Sequence, residues 1–108
     1  MTEAEAIKDS IAHWERMIAW AKKQPKKDAP SGEVMETAIG EHWGNKYCAL
    51  CKEYLGIGTC RDCPLAKKYG ECGSYSYNNA WYFVAGSRMW GEWLKNAERM
   101  LEQLRSLL

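Results

Sequence analysis

The sequence predicts a mainly α-helical protein in which two long amphipathic, antiparallel helices flank a central zinc-knuckle loop region. Three observations carry this prediction. Apolar residues recur at helical spacing over residues 3–23 and again over residues 79–108. The stretch between them, residues 41–77, holds all five cysteines, several glycines and few bulky aliphatic side chains. Four of those cysteines form two C-x2-C pairs, a spacing that lets one tight turn present two thiolates to a single ion. With 108 residues, the chain is expected to build one core, so 1–108 is taken as a single domain.

In the first helix, Ala4, Ile11 and Ile18 recur every seven residues, and Ile7, Trp14 and Ala21 form a companion series. Thr2 and Glu5 have the spacing of a capping box, in which each side chain satisfies a free amide of the first turn. Lys22 and Lys23 suit the negative end of the helix dipole, and Pro25 ends the pattern. Residues 24–32, with Pro25, Pro30 and Gly32, read as a polar linker. A short helix is expected over residues 33–40, with Val34 and Ala38 facing inward and Met35 as a further inward candidate.

In the C-terminal helix, Phe83, Trp90, Ala97 and Leu104 are spaced by seven, as are Leu94, Leu101 and Leu108. Trp93, Met100 and Leu107 widen the stripe. Gly86 and Gly91 each cost roughly 1 kcal/mol inside a helix, which marks 86–91 as the place for a kink or break. Glu92–Lys95, Arg99–Glu102 and Glu102–Arg105 sit at i,i+3 on the opposite, solvated face.

The metal motif is Cys48-Ala-Leu-Cys51, eight residues, then Cys60-Arg-Asp-Cys63-Pro64. Two such pairs complete a tetrahedron around Zn2+, and the expected role is structural. Cys72 is a substitute for one of the four, and His42 is a further candidate ligand. An iron–sulfur cluster and dithiol chemistry use the same residue types, but the compact ferredoxin run of cysteines is absent. A zinc site of this kind supplies on the order of 10 kcal/mol to folding, more than the few apolar residues of the loop can.

The order of elements resembles a group of small, mostly uncharacterised phage and prophage proteins. It rests on His13-Trp14 in the first helix, Cys48/Cys51, Cys60/Cys63-Pro64, Cys72 followed by Tyr75, and a helix from about Asn79. The group tends to carry a Thr-Pro-Tyr turn after its last cysteine, where this chain has Gly73-Ser74-Tyr75. The resemblance implies a phage accessory protein that binds metal, and it implies no activity.

Composition narrows the functional classes. Fifteen Lys and Arg against fourteen Asp and Glu leave a net charge of +1, without the basic excess of a nucleic-acid-coating protein. No apolar run is long enough to span a bilayer, and the acidic N-terminus MTEAEAIKDS is unlike a signal peptide, so a cytoplasmic protein of the bacterial host cell is expected. Catalysis is not expected: there are two histidines, no Gly-rich phosphate loop, and no spacing that sets a nucleophile beside a base.

Six Trp and six Tyr against one Phe suggest binding instead, since these rings serve cores and binding surfaces alike. Candidate ligand-binding residues are Trp43, Tyr47, Arg61, Tyr75, Tyr77, Trp81 and Arg88. Rings can stack on a base while cations hold phosphates. The expected function is inhibition or sequestration of a component of host defence, either a nucleotide-type signal molecule or a host protein. The chain is expected to act as a homo-oligomer. The alternative is a nucleic-acid-binding zinc module of phage transcription or replication.

Overall fold

The computed structural model describes residues 2–44, 47–54, 63–70 and 78–108. The described residues are mainly helical and contain no strand. Six helices are described: α1 (Glu3–Ala21), α2 (Gly32–Ile39), α3 (Ala49–Tyr54), α4 (Pro64–Tyr69), α5 (Ala80–Ala85) and α6 (Trp90–Arg105). None of them is long and apolar enough to cross a membrane.

α1 begins as its first residues dictate. The Thr2 hydroxyl accepts the Glu5 amide at 3.2 Å and donates to the Glu5 carboxylate at 3.0 Å. Its buried stripe comprises Ala6, Ile7, Ser10, His13, Trp14, Met17, Ile18 and Ala21, whereas Ala4 is exposed and Ile11 only half-buried. The stripe thus follows the 3.6-residue turn of a straight helix and admits two polar side chains.

α2 is capped by Ser31, whose hydroxyl accepts the Val34 amide at 3.3 Å. It ends at Gly40, whose φ of 77° lies in the left-handed region open to glycine. Met35 is its buried side chain, while Val34 is 54% exposed and Ala38 is exposed. Of the three expected inward residues, Met35 is the buried one, and Val34 and Ala38 face outward.

The apolar stripe of residues 79–108 is carried by two helices. α5 stops at Gly86, and α6 starts at Trp90. Met89 offers no side-chain cap, so the first free amides of α6 bond to the preceding linker: Trp90 N–H donates to the Asp28 carbonyl at 2.9 Å and Gly91 N–H to that of Lys26 at 3.0 Å. Residues 22–30 are thus docked on the start of α6.

Two side-chain amides, one buried and one half-buried, hold α5 against α6. Gln103 accepts the Ala80 amide at 2.9 Å and donates to the Asn78 carbonyl at 2.6 Å. Asn96 donates to the Phe83 carbonyl at 3.2 Å and to Ser87 Oγ at 3.0 Å. α4 docks at the far end of α6, where Tyr69 Oη and Ser106 Oγ lie 2.7 Å apart and Lys68 donates to the Ser106 carbonyl at 3.2 Å.

α1 packs on α2, α3 and α6 and so forms the centre of the fold. Between α1 and α6 lies a cluster of indoles. Trp14 stacks on Trp93 at 6.2 Å, and Trp20 meets Trp90 edge-on at 5.4 Å. Trp43 packs against both Trp90 and Trp93. Trp81 joins from α5 by donating its indole N–H to the Trp43 carbonyl at 2.8 Å. The tryptophan surplus is therefore chiefly core, and offset or edge-on ring pairs add about 0.5–1.5 kcal/mol each to burial.

Candidate metal centre and an adjoining cleft

Of the five cysteines, Cys48, Cys51 and Cys63 are among the described residues, whereas Cys60 and Cys72 lie outside them. Cys48 immediately precedes α3 and Cys51 sits in its first turn. The Cys48 carbonyl accepts the Lys52 amide at 3.0 Å, which starts the helix. Cys63 holds the corresponding place before α4, where Pro64 supplies the pre-set φ of a first helical residue. The sulfur of Cys63 makes no capping hydrogen bond to that helix, and the residue is 8% exposed within the core. One cysteine of each C-x2-C pair thus stands at the start of a short helix.

The surroundings of Cys48 favour a thiolate. The Cys51 thiol donates to it, and the backbone amide of Cys51, the Ser10 hydroxyl and the Leu50 amide also converge on the sulfur. Together they outweigh burial, which alone would raise the pKa, and pull it from 9.0 to about 5. Ser10 is fully buried on α1, with Oγ 3.6 Å from the Cys48 sulfur. It also accepts the Leu50 amide at 3.3 Å, so its own proton is available for the sulfur. Amides two and three residues beyond a cysteine, aimed back at its sulfur, stabilise a metal-bound thiolate in the same way. Among the described residues, no three His, Cys, Asp or Glu side chains form a group that could hold a metal ion.

His42 is committed elsewhere. Its Nδ1 accepts the Gly44 amide at 2.8 Å, its Nε2 lies 3.5 Å from Glu36, and its ring packs edge-on to Tyr47 at 4.7 Å. A side chain at Gly44 would collide with this ring.

The residues expected to bind a ligand do not form one group. Trp43 and Trp81 are half-buried and tied to each other and to the indole core. Arg88 is exposed between α5 and α6. Tyr47 lies beside Cys48. Arg61, Tyr75 and Tyr77 lie outside the described residues. A cleft of about 500 Å³ is lined by Trp81, Tyr82, Phe83 and Glu92 and, among the described residues, by no cation, which makes it a poor seat for a phosphate.

A second cleft, of about 440 Å³, opens beside the cysteine pair, between α1 and the start of α3. Asp9, His13, Arg16, Tyr47, Lys52 and Glu53 line it. Behind its wall, His13 Nδ1 lies 2.6 Å from Glu41, and Arg16 Nε lies 3.0 and 3.2 Å from the two Glu41 oxygens. Burial pushes the Glu41 pKa up, but the Arg16 and His13 bonds outweigh it and hold it below the usual value. The ionised carboxylate accepts only, so Nδ1 of His13 carries a proton and donates it to Glu41. His13 Nε2 is buried without a hydrogen-bond partner among the described residues. Sequence reasoning missed this arrangement. His13 entered only through the His13-Trp14 pair of the resemblance, and nothing local linked it to Glu41, 28 residues away.

Fold and site together define a small, mainly helical protein with a half-buried cysteine turn packed against α1. No protein-family model, curated protein or solved structure matches the chain.

Proposed function

We propose that this chain is a zinc-stabilised binding protein in which Cys48, Cys51, Cys60 and Cys63 hold one Zn2+. The observation that carries the reading is the convergence of the Cys51 and Leu50 amides and the Ser10 hydroxyl on Cys48, with the Cys51 thiol beside it in the first turn of α3. Such a sulfur is prepared for a cation, and a structural site with four thiolates closes the metal to water. The knuckle then joins α3 and α4, and α1 and α6 run antiparallel on either side of it. The order of their contacts supports this, since Trp20 meets Trp90 while Trp14 meets Trp93, and Lys22 lies near Glu98 while Glu15 lies near Arg105.

On this reading the protein acts in the cytoplasm of a bacterial host by sequestering or inhibiting a component of host defence, as its resemblance to phage accessory proteins suggests. The cleft beside the knuckle, with its ring and its cations, favours a small nucleotide-type ligand over a host protein. Among the described residues, Val34, Met89 and Leu108 are the exposed large apolar side chains available to an oligomer contact.

Two tests bear on this. Stepwise modification of the thiols with a mercurial should release one zinc per chain as four thiols react, with the fifth reacting independently. Expression in bacteria that carry a nucleotide-signalling defence should restore phage plating, and Cys51→Ser should abolish that effect. Zinc release unlinked to the thiols, or plating unchanged against every such defence, would overturn the corresponding half of the proposal.

A further inference from the structure

We infer that the cleft formed by α5 and the first turn of α6 is a binding site for an alkylated ammonium group, received by the Trp81, Tyr82 and Phe83 rings and balanced by the Glu92 carboxylate. This goes beyond the reading above, since it concerns a different cleft and depends on neither the metal nor the residues around Cys48.

The lining of this cleft has a single electrostatic sign. Trp81, Tyr82 and Phe83 contribute three half-buried aromatic side chains, and Glu92 completes the lining from α6. Among the described residues, Glu92 is the one charged group on the lining and makes no ion pair. The face of an aromatic ring carries negative charge density, so rings and carboxylate act on a ligand in the same direction. Together they disfavour an anion, offer a neutral ligand only apolar contact, and attract a cation. A bare metal ion does not suit them, because it needs several oxygen ligands and one carboxylate is too few. An ammonium whose charge is spread over attached carbons suits both the rings and the carboxylate. The volume of about 500 Å³ lies in the range of small-molecule sites.

The walls are fixed by the fold itself. The Trp81 indole N–H donates to the Trp43 carbonyl at 2.8 Å, which holds the ring and leaves it no donor for a ligand. The Phe83 carbonyl accepts the Ser87 hydroxyl at 2.8 Å and the Asn96 amide at 3.2 Å, so the end of α5 is tied to α6. The Arg99 guanidinium lies 5.3 Å from the centre of the Phe83 ring, so one cation is already set against these aromatics, and Arg99 is not on the cleft lining. Gly86, also on the lining, has a φ of −91°, which any residue adopts. Among the described residues, a β-carbon there would meet nothing nearer than the Tyr82 carbonyl at 3.5 Å. Neither backbone nor packing requires glycine at this position, and a large side chain would fill the space the ligand uses.

The test is a nuclear magnetic resonance titration of the full-length protein, as purified and at constant ionic strength. The probes are choline and its neutral isostere, in which a tert-butyl group replaces the trimethylammonium. Choline should bind once per chain and move the Trp81 indole and Gly86 amide resonances, leaving the buried Trp14 indole in place. The neutral isostere should bind at least tenfold more weakly. Glu92→Gln, a change at an exposed side chain, should weaken choline about fivefold, as a partly exposed charge pair does, and leave the isostere unchanged. Gly86→Leu should abolish choline binding in a protein that stays helical. A peptide carrying one trimethyllysine, titrated in parallel, separates the two sources of such a group: the tighter of peptide and choline names the source.

Unmoved Trp81 and Gly86 resonances, equal binding of choline and its neutral isostere, or full choline affinity in Glu92→Gln would overturn the site. If Gly86→Leu does not fold, Glu92→Gln decides alone. Zinc content is measured on the same samples, so a failed cleft in zinc-loaded protein is distinguishable from a failed metal centre.

Discussion

At Cys48 the chain brings a thiol, two backbone amides and a serine hydroxyl onto one sulfur. A pKa lowered on folding has a definite consequence for stability. The contribution of this thiolate is fully present above its ordinary value of 9.0, and it is lost as the pH falls through about 5. Protons compete with metal for the same sulfur, so zinc should stay bound near neutral pH and be released as the solution is made acid. Ser10→Ala removes one of the donors and should shift zinc release to higher pH without unfolding the protein. Release at one and the same pH in both proteins would show that the Ser10 hydroxyl does not act on the sulfur.

The C-x2-C spacing made the cysteine turn legible in advance, because two thiolates three residues apart encode a local geometry. Ser10 and the His13–Glu41 pair were not legible. Each joins α1 to a segment about 30 residues or more away, and short-range patterns carry no such information.

Among the elements, α5 depends most on side-chain amides. It has six residues, too few to be stable alone, and it is held by Gln103 at its start and Asn96 at its end. Gln103→Leu would strand the Ala80 amide and the Asn78 carbonyl, so it should cost about 1–3 kcal/mol in denaturant unfolding. Asn96→Ala removes bonds from the α5 end that are only part-buried and should cost less. Equal costs, or none, would contradict this account of how α5 is held.

The heptad count that marked residues 79–108 as one helical stretch found the buried side of α6, including Trp90, Trp93, Leu94, Ala97, Met100, Leu101 and Leu104. It gave no warning of Gln103, which lies on that side for a polar reason. The linker shows a similar limit. Its prolines mark the end of α1, but its docking through the Lys26 and Asp28 carbonyls depends on backbone groups that every residue carries.

Over the whole molecule, the described residues are held by the indole core between α1 and α6, with α3 packed against α1. Trp14 and Trp93 are each at most 1% exposed and stack at the centre of that core. Trp93→Ala should cost about 3–5 kcal/mol, and Trp93→Phe distinctly less, as read by the denaturation midpoint. A small loss for Trp93→Ala would mean that the core does not depend on this stack. Composition announced the tryptophans without saying where they would lie, since an amphipathic ring serves a core or a surface equally well. Their place was decided by the approach of α1 to α6, which the stripes at Trp14, Trp90 and Trp93 foretold and Trp43 did not.

The central claim is that one zinc ion organises the cysteine region. Native mass spectrometry of the untagged protein, purified without chelator, tests it most directly. The account predicts a mass above that of the polypeptide by one zinc per chain, with the ion lost and the helical fold weakened in Cys51→Ser. A protein that flies at its bare polypeptide mass, folded and free of metal, would contradict it.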